Sequence, residues 1–352
     1  MSDHIHGRGA QYNAVNRFSR LQPAMDFPEG IDEAPSEPGK TEVYIESPKT
    51  ILNSVESPDI GLARSLNPYQ GCEHGCIYCY ARNSHEYWGW SAGIDFEQKI
   101  IVKPNAPELL RKEFKRKNYV VQTVMLSGNT DCYQPLERKY KITRNLLEVF
   151  LEHKHPVSVI TKNSLILRDM DILTRLSSEN LVRVNISLTT LNETLRQKLE
   201  PRTASAIKRL ETIRKLSEAN ISVGILIGPV IPGLNNQEIP AILKAASENG
   251  AASAGYIMVR LNGQIGALFT DWVHKHFPDR ADKVLNHIRQ VHGGQLNDSR
   301  FGVRMKGDGV LAESIASLFK LHHKKYFSDR KSTPLDTHRF VQDPQNRQLS
   351  LF

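Results

Sequence analysis

Three of the four cysteines in this 352-residue chain, Cys72, Cys76 and Cys79, fall within eight residues. Thiolates are soft ligands that select zinc or iron–sulfur centres. A triplet this tight therefore points to metal or redox chemistry. A disulfide framework spreads its cysteines and belongs to small secreted chains. The spacing here is C-x3-C-x2-C. Zinc knuckles pair their cysteines as C-x2-C and need four ligands in all. No second C-x2-C exists, but Cys132, His74 or His85 could complete a zinc site. On spacing alone both metals stay open, with the iron–sulfur centre ahead.

Other polar residues stand at the ends of apolar runs, where catalytic and binding groups concentrate. They are Ser127, Gly128 and Asn129 in the run Ser127-Gly-Asn-Thr-Asp131-Cys-Tyr-Gln-Pro-Leu-Glu137, then Lys162, Ser187 and Glu200-Pro-Arg202-Thr203. Each has a plainer reading. The serines can satisfy strand-end backbone groups. Glu137 can be a first-turn acid favoured by the helix dipole. Glu200 and Arg202 can form a structural ion pair. Cys132 is either a hydrogen-atom donor facing the site or an inert buried cysteine.

The elements that would position these residues alternate. Apolar runs predict six core strands at Ala63–Tyr69, Tyr119–Leu126, Pro156–Thr161, Leu181–Leu188, Ile221–Ile227 and Ala254–Leu261, with an accessory strand at Lys99–Lys103. Helical periodicity falls between them, over 106–117, 138–153, 168–178, 190–198, 205–219 and 236–249. Asn105 is the expected cap of the first of these. Strands alternating with helices at this spacing predict parallel βα units, and the apolar runs suit strands buried on both faces. Loops at the C-terminal ends of such strands carry the chemistry, and the cysteine triplet lies in the first one.

Outside that body, residues 1–60 read as an extended, proline-rich acidic arm. After 262 the strand signal stops; 263–327 reads as a helical extension, with helices at 264–276, 281–292 and 309–327. The tail, 328–352, is polar and reads as loose. Gly307-Asp308-Gly309-Val-Leu-Ala312 fits a dinucleotide fingerprint but lacks a βαβ unit around it, so it reads as a turn entering the last helix.

Lys and Arg number 46 against 38 Asp and Glu, a net of +8. Residues 1–60 hold 5 basic and 10 acidic side chains, so the remainder carries 41 against 28, or +13. A body this basic is what a polyanion-binding surface looks like; a solvated basic face explains the charge equally well. No apolar run approaches the roughly 20 residues of a membrane span, and the N-terminus MSDHIHGRGA has no apolar signal region. A cytoplasmic protein without a membrane partner is expected.

The C-x3-C-x-Tyr-C loop on the first of a series of βα units resembles the radical S-adenosylmethionine (radical SAM) enzymes, over about residues 63–261. Tyr78 and Tyr80 around the third cysteine, Thr161-Lys162, Glu200-Pro-Arg-Thr203, Arg209-Leu-Glu211 and Pro229-Val-Ile231 are similar to the spore photoproduct lyase branch. The Ser127–Glu137 run resembles the lyase's uncharacterised relatives. The resemblance implies an α/β fold, a partial (β/α)6 TIM-like barrel. It implies a [4Fe–4S] cluster on Cys72, Cys76 and Cys79, whose fourth iron binds S-adenosylmethionine and cleaves it reductively to a 5′-deoxyadenosyl radical. By the same resemblance Tyr78 meets adenine, Ser127, Gly128 and Asn129 meet the methionine amino group, Lys162 its carboxylate, and Ser187 the ribose. Cys132 and Tyr80 are the candidate catalytic residues. An electron donor such as flavodoxin or ferredoxin is implied. The substrate is left open, with DNA or RNA leading, from the charge and the lyase resemblance, over a peptide or metabolite. The rival reading is a zinc-stabilised nucleic-acid-binding module without catalysis.

Overall fold

The computed structural model describes residues 7–14, 41–59, 61, 64–330 and 333–344. The strands in chain order are β1 (Glu42–Ile45), β2 (Leu52–Ser54), β3 (Arg64–Leu66), β4 (Tyr69–Gln70), β5 (Lys99–Val102), β6 (Val124–Leu126), β7 (Val157–Thr161), β8 (Val182–Ser187), β9 (Val223–Val230) and β10 (Ser253–Met258). The helices are α1 (Asp95–Gln98), α2 (Ala106–Phe114), α3 (Glu137–Tyr140), α4 (Ile142–Glu152), α5 (Met170–Ser178), α6 (Glu193–Leu199), α7 (Ala206–Glu218), α8 (Ile239–Glu248), α9 (Ile265–His276), α10 (Ala281–Gln290) and α11 (Gly309–Phe327).

The main sheet runs β2-β3-β6-β7-β8-β9-β10. β3 and β6 through β10 are parallel, each beside its predecessor in the sequence, and β2 lies antiparallel on the outer edge of β3. Six parallel strands wound in sequence order, with helices between them, make the expected partial barrel. β10 and β3 do not pair, so it does not close. A second, small sheet, β1-β5-β4, stands beside the first strand.

The registers put the strands' residues into two faces. Leu66, Leu126, Val159 and Val184 lie in one set of rows and are buried in the main core with Leu110, Phe114, Leu146, Leu173, Ile213 and Leu243 from the helices. The opposite face carries Ser65, Met125 and Ser158 in one row, Asn185, Gly224 and Ser253 in another, and Ser187, Leu226 and Gly255 in a third. The apolar runs led to the expectation of strands buried on both faces, and the registers correct it. Only the helix-facing side is continuously apolar, and small and polar residues line the barrel interior. At Gly224 a Cβ would lie 2.4 Å from Ser253 Oγ, so that row needs glycine to fit.

Element boundaries moved for physical reasons. The run at 63–69 is cut by Asn67-Pro68, and Tyr69 joins the small sheet instead. Proline removes the backbone donor a continuing ladder needs. The second strand begins only at Val124, because β3 offers three partner residues. The helix expected over 138–153 breaks at Lys141, whose φ is +53°, into α3 and α4. Asn105 does not cap α2; its amide donates to Pro48 O at 3.3 Å. Ser205 does cap α7, accepting from Lys208 N–H. Within the arm, 41–59 supplies β1 and β2, which lack a detectable period because they are short and half-exposed. Within the tail, 333–344 docks: Val341 N–H donates to His153 O at 2.8 Å, and Phe340 packs on Phe114 and His155. Residues 7–14 of the arm lie against the cysteine loop; the remaining arm residues and 331–332 and 345–352 of the tail lie outside the described residues. Asp308 accepts from Gly309 N–H at the start of α11, so Gly307–Ala312 is a turn into that helix. Among the described residues no helix is long and apolar enough to cross a membrane.

Candidate active site

Cys72, Cys76 and Cys79 lie in the loop beyond β3 and β4, at the C-terminal end of the parallel strands. Backbone bonds fix the loop from three sides. Cys72 N–H donates to Phe96 O at 2.9 Å, Ile77 N–H to Leu199 O at 3.1 Å, and Cys79 N–H to Cys76 O at 3.3 Å. Arg82 is wholly buried beneath it. Its Nε donates to Cys76 O at 2.9 Å, its Nη1 to Gly93 O at 2.9 Å, and its Nη2 to Glu97 Oε1 at 2.5 Å. Such charge-assisted bonds in a dry interior hold one conformation firmly.

Glu97 has further partners that the sequence did not announce. Gly9 and Ala10 N–H donate to its carboxylate at 3.1 and 2.8 Å, and Arg8 donates to its carbonyl at 2.7 Å. Ser91 Oγ donates to Ala14 O, and Asn13 is hydrogen-bonded to Asp95 in both directions. Residues 7–14 thus form a strap across the cysteine loop. The approach is so close that a Cβ on Gly9 would sit 1.9 Å from Gly75 O. The strap's one sequence signal is the pair Gly7 and Gly9 in an arm without periodicity.

The three thiols are free. Burial pushes all of them up, reinforced for Cys72 by Asp131 and the other two cysteines, for Cys76 by Glu200, and opposed at Cys79 by Arg82. A metal displaces the proton from such thiols. Among the described residues no three His, Cys, Asp or Glu side chains converge on one ion. The candidates for a fourth zinc ligand are engaged elsewhere. His74 Nδ1 faces Asp131 at 3.3 Å and its Nε2 meets Asn163. His85 Nε2 bonds Lys99 O at 2.9 Å, and burial lowers its pKa to about 4. Cys132 lies in the main core. Three thiols on one loop, with His74, His85 and Cys132 engaged elsewhere, fit three irons of a cluster better than a tetrahedral zinc that needs a fourth ligand.

Next to the thiols stands a buried polar group built from four elements. The Tyr78 hydroxyl donates to Glu200 Oε1, as does Thr189 Oγ1 at 2.6 Å. Arg209 Nη2 donates to Glu200 Oε2, and its Nη1 to Ser187 O at 2.9 Å. Lys162 Nζ lies 5.9 Å from the centre of the Tyr78 ring. Burial raises the Glu200 carboxyl, but Arg209 and Lys162 outweigh it and bring the pKa to about 2. Burial lowers Lys162, yet Glu200 and Cys76 hold it above its usual value. A charged ammonium is therefore kept beside the thiols. Asp131 closes the far side, accepting from Lys162 N–H and Thr161 Oγ1 at 2.8 and 2.7 Å.

Tyr78, Lys162 and Ser187 meet around Glu200 and Arg209, Ser187 through its carbonyl, with Ser187 on the interior face at the end of β8. Gly128 and Asn129 reach the same loops. Gly128 O accepts from the Tyr80 hydroxyl, and Asn129 N–H donates to Asn67 Oδ1 at 2.7 Å. Ser127 has a different role. At φ +83° its hydroxyl donates to Thr130 O and accepts from Cys132 N–H, both at 2.6 Å, which shapes the turn. Cys132 reads from the sequence as either a hydrogen-atom donor facing the site or an inert buried cysteine. It is fully buried in the core, with Thr143 bonded to its carbonyl, which favours the inert reading. Tyr80 is 54% exposed, at the rim rather than against the thiols' interior side. Glu137 is a buried hub, accepting from Tyr69, from Arg168 at 2.7 Å and from Thr143 N–H at 3.0 Å. Glu200 pairs with Arg209, not Arg202; Arg202 reaches Glu73.

Four of the basic residues on and beside α2 and α4 are paired with acids. Arg111 pairs with Glu152, Lys115 with Asp343, Arg116 with Glu113, and Arg144 with Asp169 and Asp171.

Comparison with known proteins gives this arrangement a context. The sequence model of the radical SAM superfamily matches residues 66–246. An uncharacterised protein of Mycobacterium tuberculosis is 29% identical over 238 residues, covering 67% of this chain and 70% of that protein. A "radical SAM Nalpha-GlyT isomerase" of Pseudomonas phage M6 is 27% identical over 168 residues, 47% of this chain and 33% of that one. Among solved structures, a spore photoproduct lyase variant with bound AdoMet and dinucleoside spore photoproduct superposes with a TM-score of 0.60 at 14% identity. The superposition covers 84% of this chain and 85% of that one, a likeness of fold.

Proposed function

The chain belongs to the radical SAM superfamily, whose cofactors are a [4Fe–4S] cluster and S-adenosylmethionine, and from that premise we propose an enzyme acting on nucleic acid. Bound together, these cofactors supply reductive cleavage of a C–S bond and a 5′-deoxyadenosyl radical that abstracts hydrogen from a substrate. Cys72, Cys76 and Cys79 ligate three irons. Lys162 binds the methionine carboxylate, and Glu200 keeps that lysine charged and aimed. Tyr78 and Ser187 border the adenosine, and the backbone at Gly128 and Asn129 borders the amino group. The strap at 7–14 and the buried Arg82–Glu97 pair exclude water from the thiols' outer side. Reducing equivalents come from a flavodoxin- or ferredoxin-type donor.

The observation that carries this reading is the ammonium of Lys162 held over Tyr78, within electrostatic reach of Cys76 and Cys79. A cation beside the thiolates suits a carboxylate-bearing cofactor. For the substrate, support comes from the net of +13 outside the first 60 residues and from the lyase fold. Anaerobic reconstitution tests the chemistry: about four irons per chain and 5′-deoxyadenosine on reduction are expected. A colourless protein holding one zinc would sink it. Binding of labelled oligonucleotides tests the substrate class. Absence of binding at low salt would favour a peptide or metabolite.

A further inference from the structure

We propose that the rim at the end of β10 is a nucleotide subsite, in which Arg260 binds a backbone phosphate and the exposed rings of Phe301 and Tyr80 stack on unpaired bases. The inference rests on the nucleic-acid reading above and specifies a single-stranded or locally opened substrate.

Arg260 lies two residues beyond β10, at the same end of the barrel as the cysteine loop. Its Nε is buried and, among the described residues, has no hydrogen-bond partner. Among those residues its side chain meets only the soft Met305 sulfur, 4.0 Å from Nη1. The side chain is half-buried, and its buried Nε–H is a donor that a ligand's acceptor could complete. Two residues on, Asn262 Oδ1 is likewise buried without a partner. One strand end thus lacks both an acceptor for its donor and a donor for its acceptor.

The neighbours supply the rest. Arg304 is already matched, with Nε 2.5 Å from Asp59 Oδ2, whereas Arg260 forms no ion pair among the described residues. The Arg304 guanidinium stacks 4.2 Å from the centre of the Phe301 ring and leaves that ring 58% exposed. Met258 N–H donates to Met305 O at 2.9 Å, which ties the 301–306 turns to the strand end. Tyr80, next to Cys79, is within electrostatic reach of Arg260, and its hydroxyl is held by Gly128 O. Burial and the charge of Arg304 lower the pKa of Arg260, with Asp59 and Tyr80 opposing, so these groups feel one another. Cations with open aromatic faces are how proteins hold unpaired strands. A duplex would leave its bases stacked on one another and these rings unused.

The test uses the full-length, cluster-loaded protein and a fluorescein-labelled single-stranded oligodeoxynucleotide, titrated by anisotropy at several salt concentrations. Arg260→Met should weaken binding about 10-fold and lower the slope of log affinity against log salt by about 0.7, the share of one phosphate on a single strand. Phe301→Ala removes an exposed ring, so it cannot empty the core. It should cost at least about fivefold with the slope unchanged. Arg260→Lys should keep the slope. Iron content and S-adenosylmethionine affinity should not move in any variant. If the wild-type chain binds and both Arg260→Met and Phe301→Ala bind as it does, the subsite is refuted while the nucleic-acid reading stands. If the wild-type chain binds no oligonucleotide at low salt, both fall.

Discussion

Around the cysteine loop, buried charges meet partners: Arg82 with Glu97, Arg209 with Glu200, and Asp131 with the Lys162 backbone and Thr161. At the end of β10, Arg260 and Asn262 each leave a buried polar atom unpartnered among the described residues. The two regions face the same mouth of the barrel; charged groups of the first are paired, while the second leaves a guanidinium nitrogen and an amide oxygen unpartnered, although His85 Nδ1 beside the cysteine loop is unpartnered among the described residues too. A cofactor that is retained rewards a preorganised cradle, because ordering the cradle on every binding event would weaken it. A substrate that comes and goes is read by groups whose hydrogen bonds form only when it is present.

Four changes probe the first region, against which the rim variants can be compared. The largest effect falls on the thiols. Cys72→Ala, Cys76→Ala and Cys79→Ala should each lose the cluster, seen as loss of iron, sulfide and visible absorption, whereas Cys132→Ala should keep all three. Equal iron loss in all four would make Cys132 a ligand and contradict its burial in the core.

Gly9→Val comes next. With a Cβ 1.9 Å from Gly75 O, the strap has to lift off, and Glu97 loses two backbone donors. The expected result is substoichiometric iron and faster bleaching in air, while Gly61→Val, with open space around its Cβ, behaves as wild type. Matching bleaching rates would reduce the strap to a bystander.

Arg209→Met should then destabilise the fold by about 3–5 kcal/mol, since it leaves the Glu200 carboxylate buried without its main partner. Urea unfolding of the apoprotein measures this. A loss under about 1 kcal/mol would mean that the site relaxes freely.

Lys162→Ala should have the most selective effect. A charge-assisted contact to a carboxylate contributes about 1.5–3 kcal/mol, so S-adenosylmethionine should bind roughly 10- to 150-fold more weakly while the cluster spectrum stays normal. Equilibrium dialysis with the loaded protein checks it, and an unchanged Kd would remove the lysine from the cofactor site.

How much of the molecule is legible in its sequence depends on distance along the chain. Cys72, Cys76 and Cys79 declare themselves through local spacing, and β7 through β10 with their helices through hydrophobic periodicity, because both signals live within a few residues. Lys162 and Ser187 stand out because strand ends are local features too. Tertiary structure alone decided the rest. The Gly9–Glu97 strap joins residues 88 apart, and docking of the Phe340 segment on His153 and His155 joins residues about 185 apart; neither leaves a periodic trace. Ser127 and Cys132 looked like site residues because they follow a strand. In the fold Ser127 adopts a positive φ and its hydroxyl holds the turn by accepting from Cys132 N–H, while Cys132 is buried in the main core. Composition gives the basic excess of the body but not which of its charges are paired: Lys115 meets Asp343, 228 residues away, and only the fold shows it. Charge and spacing are properties of the chain, but whether a charge is met or left waiting depends on what the fold brings beside it.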